Sequence, residues 1–217
     1  MPDSKTIFIV DDHPVYRKGL AQLLNEEADL TVTGEAESVS GAIDLLTDRL
    51  PDLIILDMTL KDRSGLDLIE HARQHWPKLP VLVISMHDES LYAERVIRAG
   101  ALGYITKHEM TSVVVQAVRQ VLAGKRYLSS RMVDALLEKM TTSASPAGAD
   151  PLDALSNREL EVFKLIGRGF KRAQIAEQLN LSVKTIGTYR DNIKKKLNLK
   201  TMAELTKHAV VWNETHL

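Results

Sequence analysis

An α/β domain built on a five-stranded, doubly wound parallel sheet, followed by a smaller all-α domain, is the architecture this sequence predicts. Three observations carry that expectation. Over the first 125 residues, short β-branched runs alternate with amphipathic stretches of helical period, the pattern of successive βα units. A stretch rich in Ser, Ala, Gly and Pro, TTSASPAGADP, then interrupts the periodicity. From Leu155 onward the apolar spacing is helical throughout. A chain of 217 residues is long enough for two small domains, each with its own core. The boundaries expected are a first domain over 1–125, a helical and flexible linker over 126–150, and a second domain over 151–217.

The strands expected in order are Thr6 to Val10, Leu30 to Ala36, Leu53 to Asp57, Val81 to Ser85 and Gly103 to Thr106, separated by helices of about 10 to 14 residues. Pro51 and Pro80 stand just before the third and fourth strands, where a missing N–H is harmless, and Gly100 closes the fourth helix. Met132, Val133, Leu136, Leu137 and Met140 lie at helical spacing within Ser129 to Met140. In the second domain, Ser156 and Glu159 read as a capping box, with Leu155 and Leu160 placed for a hydrophobic staple. That helix should end at Gly169, a second should span about Arg172 to Leu179, and Asn180-Leu181-Ser182 should turn into a third capped by Ser182. Short helices joined by tight turns suggest a helix-turn-helix.

The net charge of −1 conceals an asymmetry: residues 151–217 carry 12 Lys and Arg against 7 Asp and Glu, and residues 1–150 carry 16 against 22. The acidic part should attract cations and the basic part polyanions. The absence of cysteine excludes disulfides, thiolate metal sites and thiol catalysis. Apolar runs fall far short of the roughly 20 residues that span a bilayer, and MPDSKTIFIV lacks the pattern of a secretion signal, so no membrane partner and a cytoplasmic location are expected.

Chemistry concentrates where strands end. TIFIV delivers Asp11 and Asp12, LPDLIILD delivers Asp57, and GYIT delivers Lys107. Ligands of open α/β sheets bind outside the carboxyl ends of the strands, so three carboxylates and an ammonium should converge there. Asp11 or Asp12 could instead cap the helix that begins near Pro14. Three clustered carboxylates repel one another unless a cation sits among them, and hard oxygen ligands suit Mg²⁺. Asp57 beside Mg²⁺ is then a candidate nucleophile toward a phosphoryl group, with Lys107 and Ser85 placed to bind its oxygens.

The acidic pair, Asp57, Ser85 28 residues later and Lys107 50 residues after Asp57 resemble the flavodoxin-like receiver domain of two-component response regulators over residues 1–125. The resemblance implies that Asp57 accepts phosphate from a sensor histidine kinase. It implies that Asp12, Asp57 and the carbonyl of Thr59 hold Mg²⁺ with Asp11 assisting through water, and that Ser85 and Tyr104 form a switch pair. Thr59 and His87 occupy positions that influence dephosphorylation in such domains, and Met86 stands where many carry a small residue.

The segment LSNRELEVFKLIGRGFKRAQIAEQLNLSVKTIGTYRDNIKKKLNL resembles the LuxR-type helix-turn-helix of NarL/FixJ response regulators. With Ile186 at the core centre, Ile193 and Leu197 share its face of the third helix, while Lys184, Thr188, Asp191 and Lys195 face away. Lys184, Arg190, Lys194 and Lys195 suit phosphates of double-stranded DNA, and Thr185 and Thr188 complete the expected contact set. Asp191 could accept from cytosine N4, but an ion pair with Lys194 or Lys195 is favoured. Leu205, Ala209 and Trp212 along the last segment are expected to pack in the core; the resemblance implies that this helix dimerises on DNA, giving a homodimer when phosphorylated.

His71 and His75 have zinc-like spacing but lack a third ligand and read as surface histidines. The expected function is a phosphorylation-switched transcription regulator that catalyses only its own phosphorylation and dephosphorylation. An Mg²⁺-dependent phosphohydrolase with an aspartyl-phosphate intermediate, and a phosphate-independent DNA-binding protein, are the alternatives.

Overall fold

The computed structural model describes residues 4–60, 62–86, 89–130, 132–134, 151–179 and 181–216, which fall into two compact units, Met1–Ala144 and Ser145–Leu217. Leu136, Leu137, Met140, the TTSASPAGADP segment up to residue 150, His87 and Asn180 lie outside the described residues.

The first unit runs β1 (Lys5–Val10), α1 (Pro14–Asn25), β2 (Leu30–Ala36), α2 (Val39–Asp48), β3 (Leu53–Leu56), α3 (Gly65–His75), β4 (Val81–Ser85), α4 (Glu89–Ala99), β5 (Gly103–Thr106) and α5 (Thr111–Leu122). Its sheet has the order β2-β1-β3-β4-β5 with every pairing parallel. The alternation of side chains along a strand divides the apolar residues between two covered faces, so strands read as nearly continuous hydrophobic runs. Ile7, Ile9, Leu53, Ile55, Leu82, Ile84 and Ile105 meet Leu20 and Leu24 of α1 and Val114, Val118 and Val121 of α5. Phe8, Val10, Ile54, Leu56 and Val83 alternate to the other face and are equally buried, on the side where α2, α3 and α4 adjoin one another. The direction of winding reverses between β1 and β3, which opens a crevice at their carboxyl ends.

Two expectations shift in detail. The third strand ends at Leu56 rather than Asp57, although the Asp57 N–H still donates to the Val10 carbonyl at 2.8 Å. Neither Asp11 nor Asp12 caps α1: the N-cap is His13, without a side-chain bond, and Pro14 opens the helix. Beyond α5, Tyr127 extends the sheet beside β5, donating to the Leu102 carbonyl at 3.0 Å and accepting from the Tyr104 N–H at 3.1 Å.

Asp52 ties the start of β1 to the approach to β3. Its carboxylate accepts from the Thr6 N–H and hydroxyl, each at 2.8 Å, and from Lys5 Nζ at 2.9 Å. Burial alone raises this carboxyl, but those donors outweigh it and bring it down to about 2. A carboxyl depressed on folding contributes stability above its unfolded value of 3.8 and loses it as pH falls through about 2. Because the side chain is 34% exposed, solvent screening reduces the contribution to roughly 1 kcal/mol. Asp52→Ala should therefore lose about 1 kcal/mol in urea unfolding at neutral pH, and the gap from wild type should narrow at pH ~3. A gap independent of pH would assign the loss to packing instead.

The second unit opens with a 3-10 turn (Pro151–Ala154), followed by α6 (Asn157–Gly167), α7 (Arg172–Gln178), α8 (Val183–Lys196) and α9 (Met202–His216). The capping box is formed, with the Glu159 N–H donating to Ser156 Oγ at 3.3 Å and the Ser156 N–H to Glu159 Oε2 at 2.7 Å. Gly169 (φ +82) and Asn198 (φ 54) take left-handed conformations just beyond α6 and α8, where such residues end helices by accepting a backbone reversal. Phe163, Ile186, Ile193, Leu205 and Ala209 are fully buried, and Trp212 sets its ring edge-on to Phe163 with centroids 6.0 Å apart.

Candidate functional site

The crevice between β1 and β3 gathers the charged residues released at the strand ends. Asp11 and Asp12 follow β1, Asp57 follows β3, Ser85 closes β4 and Lys107 follows β5. The backbone holds them level: the Asp11 N–H donates to the Ala36 carbonyl at 3.0 Å, and the Lys107 N–H to the Ser85 carbonyl at 2.8 Å. Lys107 Nζ bridges Asp11 Oδ2 at 2.6 Å and Asp57 Oδ2 at 2.7 Å. It also sits 4.5 Å from the centroid of the Tyr16 ring, within cation–π range. Asp57 Oδ1 accepts from the Thr59 N–H at 3.2 Å, and Asp11 Oδ1 from the His13 N–H at 2.8 Å.

Electrostatics agree with the geometry. Asp57 is 3% exposed, and burial is the largest influence, holding its carboxyl above the usual range; the Lys107 ammonium opposes this and the Asp11 carboxylate reinforces it. Burial, then Asp11 and Asp57, push the Tyr16 phenol up to about 12. Ion pairs to buried charges offset desolvation only when every charge is matched, and one ammonium among three carboxylates leaves a negative surplus. Asp11, Asp12, His13 and Asp57 each offer a ligand atom, all within 4.8 Å of one another, a set that fits a divalent cation.

Of the expected pocket residues, Asp11, Asp12, Asp57 and Lys107 converge directly. Thr59 is half-buried beside Asp57, Ser85 is fully buried at the end of β4, and Tyr104 is fully buried in β5. Met86, next to Ser85, is 57% exposed. Two contributors were not anticipated, His13 and Tyr16, and neither was the part that Asp62 plays at the start of α2. His13 and Tyr16 follow the acidic pair closely enough to have been suspected. Asp62 carries no local signal, because it accepts from the N–H groups of Val39 and Ser40, at 3.0 and 3.1 Å, at the start of a helix 22 to 23 positions earlier.

In the second unit, Ser182 caps α8, accepting from the Thr185 N–H at 3.0 Å. Ile186 and Ile193 anchor this helix in the core, while Lys184, Thr188, Asp191 and Lys195 are exposed. The favoured ion pair forms, Lys194 Nζ lying 3.1 Å from Asp191 Oδ1. The Thr185 hydroxyl is shared with Ser182 Oγ at 2.7 Å, and Arg190 keeps Nε buried without a hydrogen-bond partner. The buried Glu159 holds Lys196 Nζ at 2.7 Å, tying the end of α8 to the start of α6. The histidines of α3 stack on each other, centroids 4.1 Å apart, with Trp76 edge-on to His71 at 5.1 Å. His71 is half-buried, and burial, then His75, hold its imidazole below the usual value.

Comparison with known proteins bears on both units. Residues 7–119 match the response regulator receiver domain, and residues 153–209 match the bacterial regulatory proteins of the luxR family. The chain is 34% identical over 209 residues to the oxygen regulatory protein NreC of Staphylococcus epidermidis, covering 94% of this chain and 96% of NreC. It is 36% identical over 204 residues to the transcriptional activator protein ExaE of Pseudomonas putida, covering 94% and 95%. Among solved structures, a LuxR-family two-component response regulator from Aurantimonas sp. SI85-9A1 matches with a TM-score of 0.60 at 32% identity, over 64% of this chain and 99% of that one. RcsB from Salmonella enterica serovar Typhimurium, bound to promoter DNA in the presence of the phosphomimetic BeF3−, matches with a TM-score of 0.58 at 25% identity, over 95% and 98%. No helix among the described residues is long and apolar enough to cross a membrane. A receiver fold carrying a buried acidic crevice, followed by a capped helix-turn-helix, places this chain in the NarL/FixJ family of two-component response regulators, which regulate transcription through a LuxR-type DNA-binding domain.

Proposed function

We propose that Asp57 is the phosphoryl acceptor of this regulator, that a sensor histidine kinase is the donor, and that phosphorylation promotes homodimeric binding to double-stranded DNA. The observation that carries this reading is the Lys107 ammonium bridging Asp11 and Asp57 at the mouth of the sheet. In the transfer, an Asp57 carboxylate oxygen forms a bond to phosphorus as the bond from phosphorus to the kinase imidazole breaks, and the imidazole nitrogen keeps the electron pair. Lys107 exchanges its pair with the Asp57 oxygen for one with a phosphoryl oxygen, and the Ser85 hydroxyl supplies a second donor. Asp11, Asp12, Asp57 and the Thr59 carbonyl would hold Mg²⁺, which when bound offsets the charge on the transferring oxygens. Burial of Asp57 restricts the access of bulk water to the acyl phosphate and so slows its hydrolysis. Loss of the Lys107 to Asp57 bond is felt along β5, where Tyr104 makes the aromatic half of the switch pair.

On α8, exposed Lys184 and Lys195 are the leading phosphate contacts, with Thr188 placed for base edges. Lys194 joins them after leaving Asp191. Thr185 and Arg190 orient the helix as much as they touch DNA, since the Thr185 hydroxyl is engaged by Ser182 Oγ and Arg190 Nε is buried. Incubation with Mg²⁺ and a small phosphodonor should add one phosphoryl group per chain, mapped to Asp57 by peptide mass spectrometry; label elsewhere would overturn the assignment.

Met86 shields the pocket mouth with an apolar side chain. Met86→Ala should speed loss of the phosphoryl group about threefold, equivalent to ~0.65 kcal/mol of barrier, by admitting water. Decay measured by single-turnover phosphate release that is unchanged or slower in the variant would exclude this shielding.

A further inference from the structure

The pocket offers a nitrogen ligand beside its oxygens. His13 Nδ1 lies 2.9 Å from Asp12 Oδ1, 3.3 Å from Asp11 Oδ1 and 3.7 Å from Asp57 Oδ2. Its backbone explains the placement. His13 is extended (φ −95, ψ 101) at the N-cap of α1, Pro14 commits the next residue to the helix, and the His13 N–H is held by Asp11 Oδ1 at 2.8 Å. The ring makes no capping bond to α1 and is turned over the crevice instead.

Two features separate this arrangement from a histidine that merely pairs with an acid. Asp12 Oδ1 is buried with no hydrogen-bond partner despite its 2.9 Å approach to Nδ1, and the Asp12 side chain is only 10% exposed. The two atoms stand close without donor–acceptor alignment, as two ligands of one ion do. Ligands at about 2.1 Å from a divalent ion and at right angles to each other are about 3.0 Å apart, and opposite ligands are about 4.2 Å apart. The observed separations and the 4.8 Å limit over all four residues are compatible with that spacing after modest contraction.

We propose that His13 Nδ1 is a direct ligand of the cation in this pocket, and that it gives the site a preference for first-row transition ions over Mg²⁺. The inference rests on the reading of the crevice as a divalent-cation site. Mg²⁺ favours oxygen and retains water, whereas imidazole strengthens binding of ions from Mn²⁺ onward in the series. His13 is 61% exposed, so its ring can reach an ion without repacking the core.

The test uses the full chain, freed of metal by chelation and kept at one pH, titrated calorimetrically with Mg²⁺ and with Mn²⁺ alone. Electron spin echo measurements on bound Mn²⁺ should show ¹⁴N coupling in wild type and none in His13→Ala. His13→Ala should weaken Mn²⁺ binding about tenfold and Mg²⁺ binding by no more than about twofold. Asp57→Asn distinguishes loss of the cation pocket from loss of the His13 ligand alone. Mn²⁺ binding that is lost in Asp57→Asn but shows no ¹⁴N coupling in wild type leaves the cation pocket standing and overturns the role of His13. Equal weakening of both metals in His13→Ala also overturns it, in favour of a purely electrostatic or structural effect. Mn²⁺ binding indifferent to Asp57→Asn removes the pocket reading, and this inference with it.

Discussion

Asp57→Ala should abolish the gain in DNA affinity that a phosphodonor confers, while leaving the basal affinity of the helix-turn-helix intact. Coupling between two sites typically amounts to 1–3 kcal/mol, so wild type should bind its DNA about 5- to 150-fold more tightly with phosphodonor and Mg²⁺ than without. In Asp57→Ala the two affinities should coincide, because the variant has no carboxylate to carry the phosphoryl group and Lys107 has no Asp57 oxygen to leave. Salt must be held constant, since lysine contacts to phosphates make every affinity depend on counterion release. Measured mass should track affinity, with a dimer formed only by phosphorylated wild type. Equal responses from the two proteins would detach the DNA-binding domain from Asp57. Steady consumption of phosphodonor would instead favour hydrolase chemistry.

Gly167→Ala should destabilise the C-terminal unit by about 3 kcal/mol. Alanine ordinarily improves a helix by about 1 kcal/mol over glycine, so the sign of the effect is decided by packing. A Cβ at Gly167, in the last turn of α6, would collide with the backbone carbonyl of Ala209 and approach Asn213 Nδ2 to 2.5 Å. Backbone cannot rotate away as a flexible side chain can, so α9 must shift. The displaced Asn213 would also lose its bond to the Lys164 carbonyl, now 3.0 Å long, leaving a buried amide unpaired. Thermal unfolding of the C-terminal unit should move down by roughly 12–24 °C, at about 4–8 °C per kcal/mol for a domain this small. An unchanged or raised transition would mean that α9 accommodates the methyl group freely.

These two substitutions differ in how visible their sites are in the amino-acid sequence. Asp57 is conspicuous because a run of buried residues ends in a charge, and burial without that charge would need no explanation. Gly167 lies inside a regular helical pattern, and nothing within six residues of it announces that another helix crosses there. The same contrast runs through the site. Asp11, Asp12, Asp57 and Lys107 were legible as strand-end residues because strand period and turn chemistry are local. Outside the site, the bond from Asp62 to the start of α2 was not legible, since it depends on a helix that begins at Val39. In α8, the burial of Ile186 and Ile193 followed from helical period, but the inward commitment of Arg190 Nε did not, because a long side chain can turn either way from the same backbone position.

The sequence by itself determined the five strands, the helix caps at Ser156 and Ser182, the ends of the strands that carry charge and the apolar face of α8. Each of these depends on side-chain period or on hydrogen bonds within one turn, and such information is written in neighbouring residues. Only the tertiary structure decided that Lys107 bridges two carboxylates beneath Tyr16, that His13 turns over the pocket rather than capping its helix, and that α9 crosses α6 at a glycine. Those outcomes depend on which distant segments meet and how closely, and the free energy of each meeting belongs to both partners at once.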